Sequence, residues 1–261
     1  MPELPDVEVF KRYIDATSLH KKITKVDIST TKILEDISKQ RLQDTLLHNS
    51  LTTTYRQGKY LFVQLKNEKW MILHFGMTGF VKYFKDNNEK PSHTRMLVSF
   101  ENNYHFAVNS QRLLGTIGIT DDKETYLRDH KVGVDALRIS FKEFKDLLEN
   151  RRGMVKSTLM NQSIIAGIGN IYSDEICFQT GIHPKTKMNQ LKTNQLKNMY
   201  QNMQDVFNTA IDAQVNPEKF PDTFTIPQRS KEGTCPKDGG PLKTIKVNGR
   251  TTYFCPKHQK K

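Results

Sequence analysis

Four residues near the end of the chain have the types and spacing of a metal site. Cys235 and Asp238 stand three apart, Cys255 and His258 stand three apart, and 16 residues separate the two pairs. Two such knuckles about 15–20 residues apart have the spacing of a zinc ribbon. Thiolate, carboxylate and imidazole all ligate zinc, so the set could close a tetrahedron around one structural Zn2+. Asp238 also suits a "KDGG" turn, and the two cysteines could instead pack in a small hairpin without metal. A hairpin this small lacks the core to stand alone, which favours the metal. A second pattern, "AGIGN", places Gly167, Gly169 and Asn170 before a helical stretch. Amides beside glycines can approach an anion, a helix start adds partial positive charge, and the Asn170 side chain can donate. By pattern alone, an ordinary glycine turn between helices accounts for it as well. The third pattern is the opening, "MPELPDVE", where Pro2 and Glu3 precede any need of a helix beginning after Pro5. Glu3 could be no more than a helix-start acid.

Elements must hold these residues in place. From Ile23 to about Gly118 the chain reads as short strands, "ITKVDIS", "YLFVQL", "WMILHF", "FVKYF", "RMLVSF", "YHFAV" and "GTIGIT", with polar breaks between them. So many β-branched and aromatic runs predict a β-sandwich or barrel, with a helix over Val7–Ala16 docked on it. The period changes near Ser140, where Ser140 and Glu143 form a capping-box pattern before "FKEFKDLLENR". "VKSTLMNQ", "SIIAGIGNIYSDEICFQTGI" and "TNQLKNMYQNMQDVFNTAIDAQ" follow with helical spacing. Cys177 falls within this pattern as a small packed residue. Pro217, Pro221 and Pro227 mark a linker, and "VNGRT" marks a hairpin turn in the tail. The expected organisation is α+β and multidomain, with domains at 1–120, 121–225 and 226–261.

Composition narrows the partner. Forty Lys and Arg against 28 Asp and Glu leave a net charge of +12. Such an excess points to a polyanion, most simply nucleic acid, although a generally basic surface is the plainer reading. No apolar run reaches the roughly 18 residues of a membrane span, and no secretory signal opens the chain. Three cysteines are too few for a disulfide scaffold, so a cytoplasmic, nucleoid-associated and monomeric protein is expected.

In order along nearly the whole chain, these pieces resemble the formamidopyrimidine-DNA glycosylase / endonuclease VIII family of base-excision repair enzymes. The stretches that carry the resemblance are "MPELPDVE", "RQGKYL", "LHFGMTG", "NQSIIAGIGNIYSDE" with "GIHP", and "VNGRTTYFCPKH". Asp6 stands where glutamate is usual in the family. The resemblance implies an N-terminal helix on a β-sandwich, a helical helix-two-turn-helix domain and a C-terminal β-hairpin zinc finger. It implies damaged double-stranded DNA as partner, and excision of oxidised or ring-opened bases followed by backbone cleavage through β,δ-elimination.

The resemblance assigns Pro2 as nucleophile, Glu3 as general acid, Lys59 as a phosphate-side proton-transfer aid and Arg250 as a finger arginine. It places His74, Met77, Arg112, Leu114, Lys156 and Asn170 on DNA, with Met77, Arg112 and Leu114 filling the void left by an extruded base. Taken alone, Lys59 reads as a hairpin-end lysine, and Met77 and Leu114 as core residues. Two departures stand out. "SQRLLG" replaces the family's "DPRRFG", so Leu114 takes the place of an aromatic wedge. The stretch "VNPEKFPDTFTIPQRSKEGT" is short and proline-rich where the purine-acting branch has a longer capping loop. Oxidised pyrimidines, ring-opened purines and abasic sites therefore fit better than intact 8-oxoguanine. The competing expectation is a non-catalytic protein that binds DNA lesions or DNA structures on the same fold.

Overall fold

The computed structural model describes residues 1–230 and 232–260; Lys231 and Lys261, within the expected finger, lie outside the described residues. The chain divides into two units, Met1–Pro2 with Asp6–His130, and Glu3–Pro5 with Lys131–Lys261.

The first unit holds most of α1 (Leu4–Thr17), then β1 (Ile23–Ile28), α2 (Lys39–Leu46), β2 (Leu51–Gln57), β3 (Tyr60–Leu65), β4 (Trp70–His74), β5 (Phe80–Phe84), β6 (Thr94–Phe100), β7 (His105–Asn109), β8 (Thr116–Thr120) and α3 (Lys123–Asp129). The strands form two antiparallel four-stranded sheets, β1-β6-β7-β5 and β2-β3-β4-β8. Alternation sends Val26, Ile28, Met96, Val98, Phe106 and Val108 inward from one sheet, and Leu61, Val63, Leu65, Met71 and Leu73 from the other, into one core. Val7, Phe10 and Ile14 of α1, at helical spacing, join that core. The expected helix-on-sandwich is present. Three elements of this unit escape the sequence pattern, among them the short α3. The helix α2 buries only Leu42 and Leu46 on an otherwise polar surface, and β2 is threonine-rich.

The second unit contains β9 (Val134–Asp135), α4 (Phe141–Leu148), α5 (Val155–Leu159), β10 (Ile165–Ala166), α6 (Asn170–Gln179), α7 (Thr193–Asp212), β11 (Lys243–Val247) and β12 (Arg250–Phe254). Ser140 and Glu143 form the capping box expected before α4. Leu196, Met199, Met203, Val206, Phe207 and Ala210 lay the apolar face of α7 on α4 and α6. Cys177 is fully buried, and burial pushes its thiol above the ordinary range. The tail hairpin turns at Asn248 and Gly249, both at positive φ, as the "NGR" signal predicts.

Candidate functional site

Glu3 is fully buried, and its partners explain why. Its Oε2 accepts the amide N–H of Gly169 at 2.7 Å and of Tyr172 at 3.3 Å, and its Oε1 accepts that of Ile171 at 2.8 Å. These amides open α6, where a helix leaves its first N–H groups without internal partners. The Leu4 N–H also donates to Gly167 O at 3.0 Å, so the chain start is fastened to the same loop. A Cβ at position 169 would overlap the Glu3 carboxyl group, so that position requires glycine. The amides at "AGIGN" and the start of α6 therefore do meet an anion. The amides are taken by a carboxylate of the chain itself. Phosphate and carboxylate both suit a positive helix end, and the local pattern does not say which one arrives. Pro2 directly precedes this anchored residue and is partly exposed, while Met1 is 42% exposed.

Lys156 and Asn170, both expected on DNA, are brought together. The Lys156 side chain is fully buried, with Nζ 2.8 Å from Asn170 Oδ1 and 2.5 Å from Asp174 Oδ1. Burial pulls its ammonium below the usual lysine range, and Asp174 opposes that pull. Lys156 is thus spent inside the protein rather than held out to a phosphate. It holds the Asn170 side-chain carbonyl. Glu175, also fully buried, accepts from Thr225 N at 2.9 Å, Thr225 Oγ1 at 2.7 Å and Ile226 N at 3.0 Å, which fastens the proline-rich stretch to α6. Arg250 is exposed at the start of β12.

In the first unit, Lys59 lies in the turn between β2 and β3. That turn is held by Arg56, fully buried, whose Nε reaches Glu8 Oε2 at 2.7 Å and whose Nη1 reaches Gly58 O at 3.2 Å. His74 ends β4 opposite Tyr60. Burial, and next the Lys59 charge, lower its pKa, with Glu35 opposing. Met77 and Leu114 are 36% and 49% exposed, which rules out a core role for either. Arg112 is exposed between their segments, and its N–H donates to Thr78 Oγ1 at 3.3 Å. Gly76, at φ +57°, lies against the Leu114 backbone so closely that a Cβ would collide with it. The turn carrying Met77 and the segment carrying Leu114 are therefore stitched together.

Of the expected metal ligands, Cys235, Asp238 and Cys255 place their ligating atoms within 4.8 Å of one another. His258 does not join them; its Nε2 lies 2.8 Å from Phe178 O, and its backbone N–H donates to Cys255 Sγ at 3.4 Å. The Cys255 thiol donates to Asp238 Oδ2 at 3.0 Å, and burial with this bond pushes it up to about 11. Two sulfurs and a carboxylate converging at the root of a small hairpin are a donor set that fits a zinc-like cation.

Sequence reasoning missed Arg56, Asp174 and Glu175. A signal for the two acids exists, since "NIYSDEICFQ" shows no polar stripe, and Tyr172–Phe178 are all buried. A helix without a wet face must give its acids partners. Arg56, two residues before the turn glycine, offers no such cue.

Residues 1–117 match the family described as the formamidopyrimidine-DNA glycosylase N-terminal domain, and residues 132–220 that described as the formamidopyrimidine-DNA glycosylase H2TH domain. A formamidopyrimidine-DNA glycosylase of Geobacter metallireducens is 30% identical over 269 residues, covering 99% of this chain and 100% of its own. The chain belongs to the formamidopyrimidine-DNA glycosylase / endonuclease VIII family. A family member from Mycoplasma mobile is 29% identical over 276 residues, with 99% of each chain covered. Among solved structures of the family, the complex of the LlFpg protein with a THF-DNA and an inhibitor matches with a TM-score of 0.88 at 26% identity, over 100% of both chains. No helix among the described residues is long and apolar enough to cross a membrane.

Proposed function

We propose that this chain is a DNA glycosylase acting on oxidised or ring-opened bases, and that it also cleaves the DNA backbone as an AP lyase. The observation that carries this reading is the burial of Glu3 on three amides at the start of α6. It fixes a carboxyl group one residue from Pro2, at the helix end that also carries Asn170.

In this reading Met1 is removed and Pro2 bears a free secondary amine. An α-amino group gives up its proton at lower pH than a lysine ammonium, so more of it is nucleophilic near neutrality. The nitrogen attacks C1′ of the extruded nucleotide, and the damaged base leaves with the glycosidic electron pair. Glu3 takes up the proton that the attacking Pro2 nitrogen sheds and delivers it to the sugar ring oxygen as the C1′–O4′ bond opens. The product is a cationic iminium, which accepts the electrons released when C2′ loses a proton. The 3′-phosphate leaves, and a second elimination releases the 5′-phosphate. Lys59 and His74 meet the backbone in the first unit, and Asn170 and Arg250 in the second. Met77, Arg112 and Leu114 occupy the gap in the stack. Lys156 acts by orienting Asn170.

Cys235, Asp238 and Cys255 would hold one zinc ion, with His258 as the fourth ligand proposed from its spacing. The ion would pin the hairpin that carries Arg250 and supply no chemical step.

Borohydride trapping on a duplex with an abasic site tests the enzyme reading. Processed protein should yield a covalent adduct, and protein acetylated at the Pro2 nitrogen should not. A folded, processed protein that binds the duplex without forming any adduct is the non-catalytic binder instead.

A further inference from the structure

Asp174 has no part in the chemistry above, yet it joins three separate segments of the second unit. It is 1% exposed. Its Oδ1 holds Lys156, and its Oδ2 accepts the Tyr253 N–H at 3.0 Å and pairs with Arg229 Nη1. The Arg229 guanidinium in turn lies 4.8 Å from the centre of the Tyr253 ring. One carboxylate therefore joins α5 through Lys156, the segment entering the finger through Arg229, and β12 through Tyr253. From Lys156 the contact continues to Asn170, and from Tyr253 the strand runs back three residues to Arg250.

A buried acid between two cations is an expensive way to fill space, because desolvation offsets much of the attraction. An apolar side chain could pack there, but it could not hold two side-chain cations and a backbone N–H in fixed directions. We propose that Asp174 is a positioning residue for DNA binding. It aims Asn170 by way of Lys156, and it sets the hairpin bearing Arg250 by way of Arg229 and Tyr253. The inference rests on the reading above that Asn170 and Arg250 meet DNA phosphates.

The test uses the full-length, metal-loaded protein and a duplex containing a tetrahydrofuran abasic-site analogue, with Kd measured across a range of salt. Arg250→Ala should weaken binding and flatten the dependence of log Kd on log salt by about one unit, as loss of one phosphate contact does. Asp174→Asn and Arg229→Gln should each flatten it similarly. Combining Arg229→Gln with Arg250→Ala should add little beyond Arg250→Ala alone, whereas Asp174→Asn should add only the share that Asn170 carries. Arg229→Gln leaves the Lys156–Asp174 pair intact, so it carries the test if Asp174→Asn does not fold. Lower thermal stability with a wild-type Kd and salt slope, or an effect of Arg229→Gln that adds in full to that of Arg250→Ala, would overturn the positioning role. An unchanged Kd and slope in Arg250→Ala itself would instead remove the underlying assignment of Arg250 to DNA, and this inference with it.

Discussion

The two units prepare their functional residues in opposite ways. In the first, the sandwich satisfies its backbone through ladders and fills its interior with apolar side chains, while Met77, Arg112 and Leu114 stand exposed at its rim. In the second, Glu3, Lys156, Asp174 and Glu175 are all buried around the single helix α6. The first unit displays residues on a scaffold that does not depend on them. The second builds its scaffold partly out of residues to which the proposed function assigns a role. Binding and stability should therefore separate under mutation in the first unit and move together in the second.

The largest expected effect is at Glu3. Glu3→Gln should slow base excision by about 10²–10⁴-fold, the range of a lost acid–base group, and lower Tm as well, because an NH2 would face amide donors. Excision kinetics beside a thermal melt check both; a lower rate with an unchanged Tm would break the comparison. Next is Lys156→Met, which leaves the Asp174 carboxylate with a single cationic partner. About 3 kcal/mol of stability should be lost in denaturant titration, together with duplex affinity. At the finger, Cys235→Ser should release metal as read by elemental analysis, whereas His258→Ala should retain it with reduced affinity. Unchanged metal affinity in His258→Ala would mean that the imidazole stays on Phe178 O when the ion binds.

Smaller effects belong to the first unit. Met77→Ala and Leu114→Ala should change stability by no more than about 0.5 kcal/mol while slowing excision of a base that must be extruded. Equal slowing on an abasic-site duplex would argue against void filling. The smallest effect is that of His74 on pH dependence. Its folded pKa is lowered, so the unfolded chain binds more protons just below the usual histidine range. Stability should therefore fall as pH drops through that range towards the lowered value, and His74→Gln should flatten the fall. Urea titrations at stepped pH would read the difference.

Much of this architecture was legible in local patterns. Alternation, capping residues and turn signals depend on neighbours a few positions away, so the strands of the sandwich, the capping box at Ser140 and the "NGR" hairpin could be read directly. The helix α2 and the strand β2 could not, since each takes its place from partners far along the chain rather than from its own pattern. Ligand types at the finger were legible from spacing, but spacing says nothing of where the His258 ring turns, and Phe178 lies 80 residues away.

The sequence by itself determined the identity of the chemical groups: a proline beside a glutamate at the start of the chain, a glycine-framed helix entry, and a cysteine-bearing hairpin, on a chain of net charge +12. Only the tertiary structure decided what each group is spent on. Glu3, not an external phosphate, takes the amides at the start of α6, and Lys156 aims an asparagine from within. The reason is physical. Which charge reaches a helix end, and which buried cation finds its acid, depends on side chains that meet across as many as 169 residues, where no local periodicity leaves a trace.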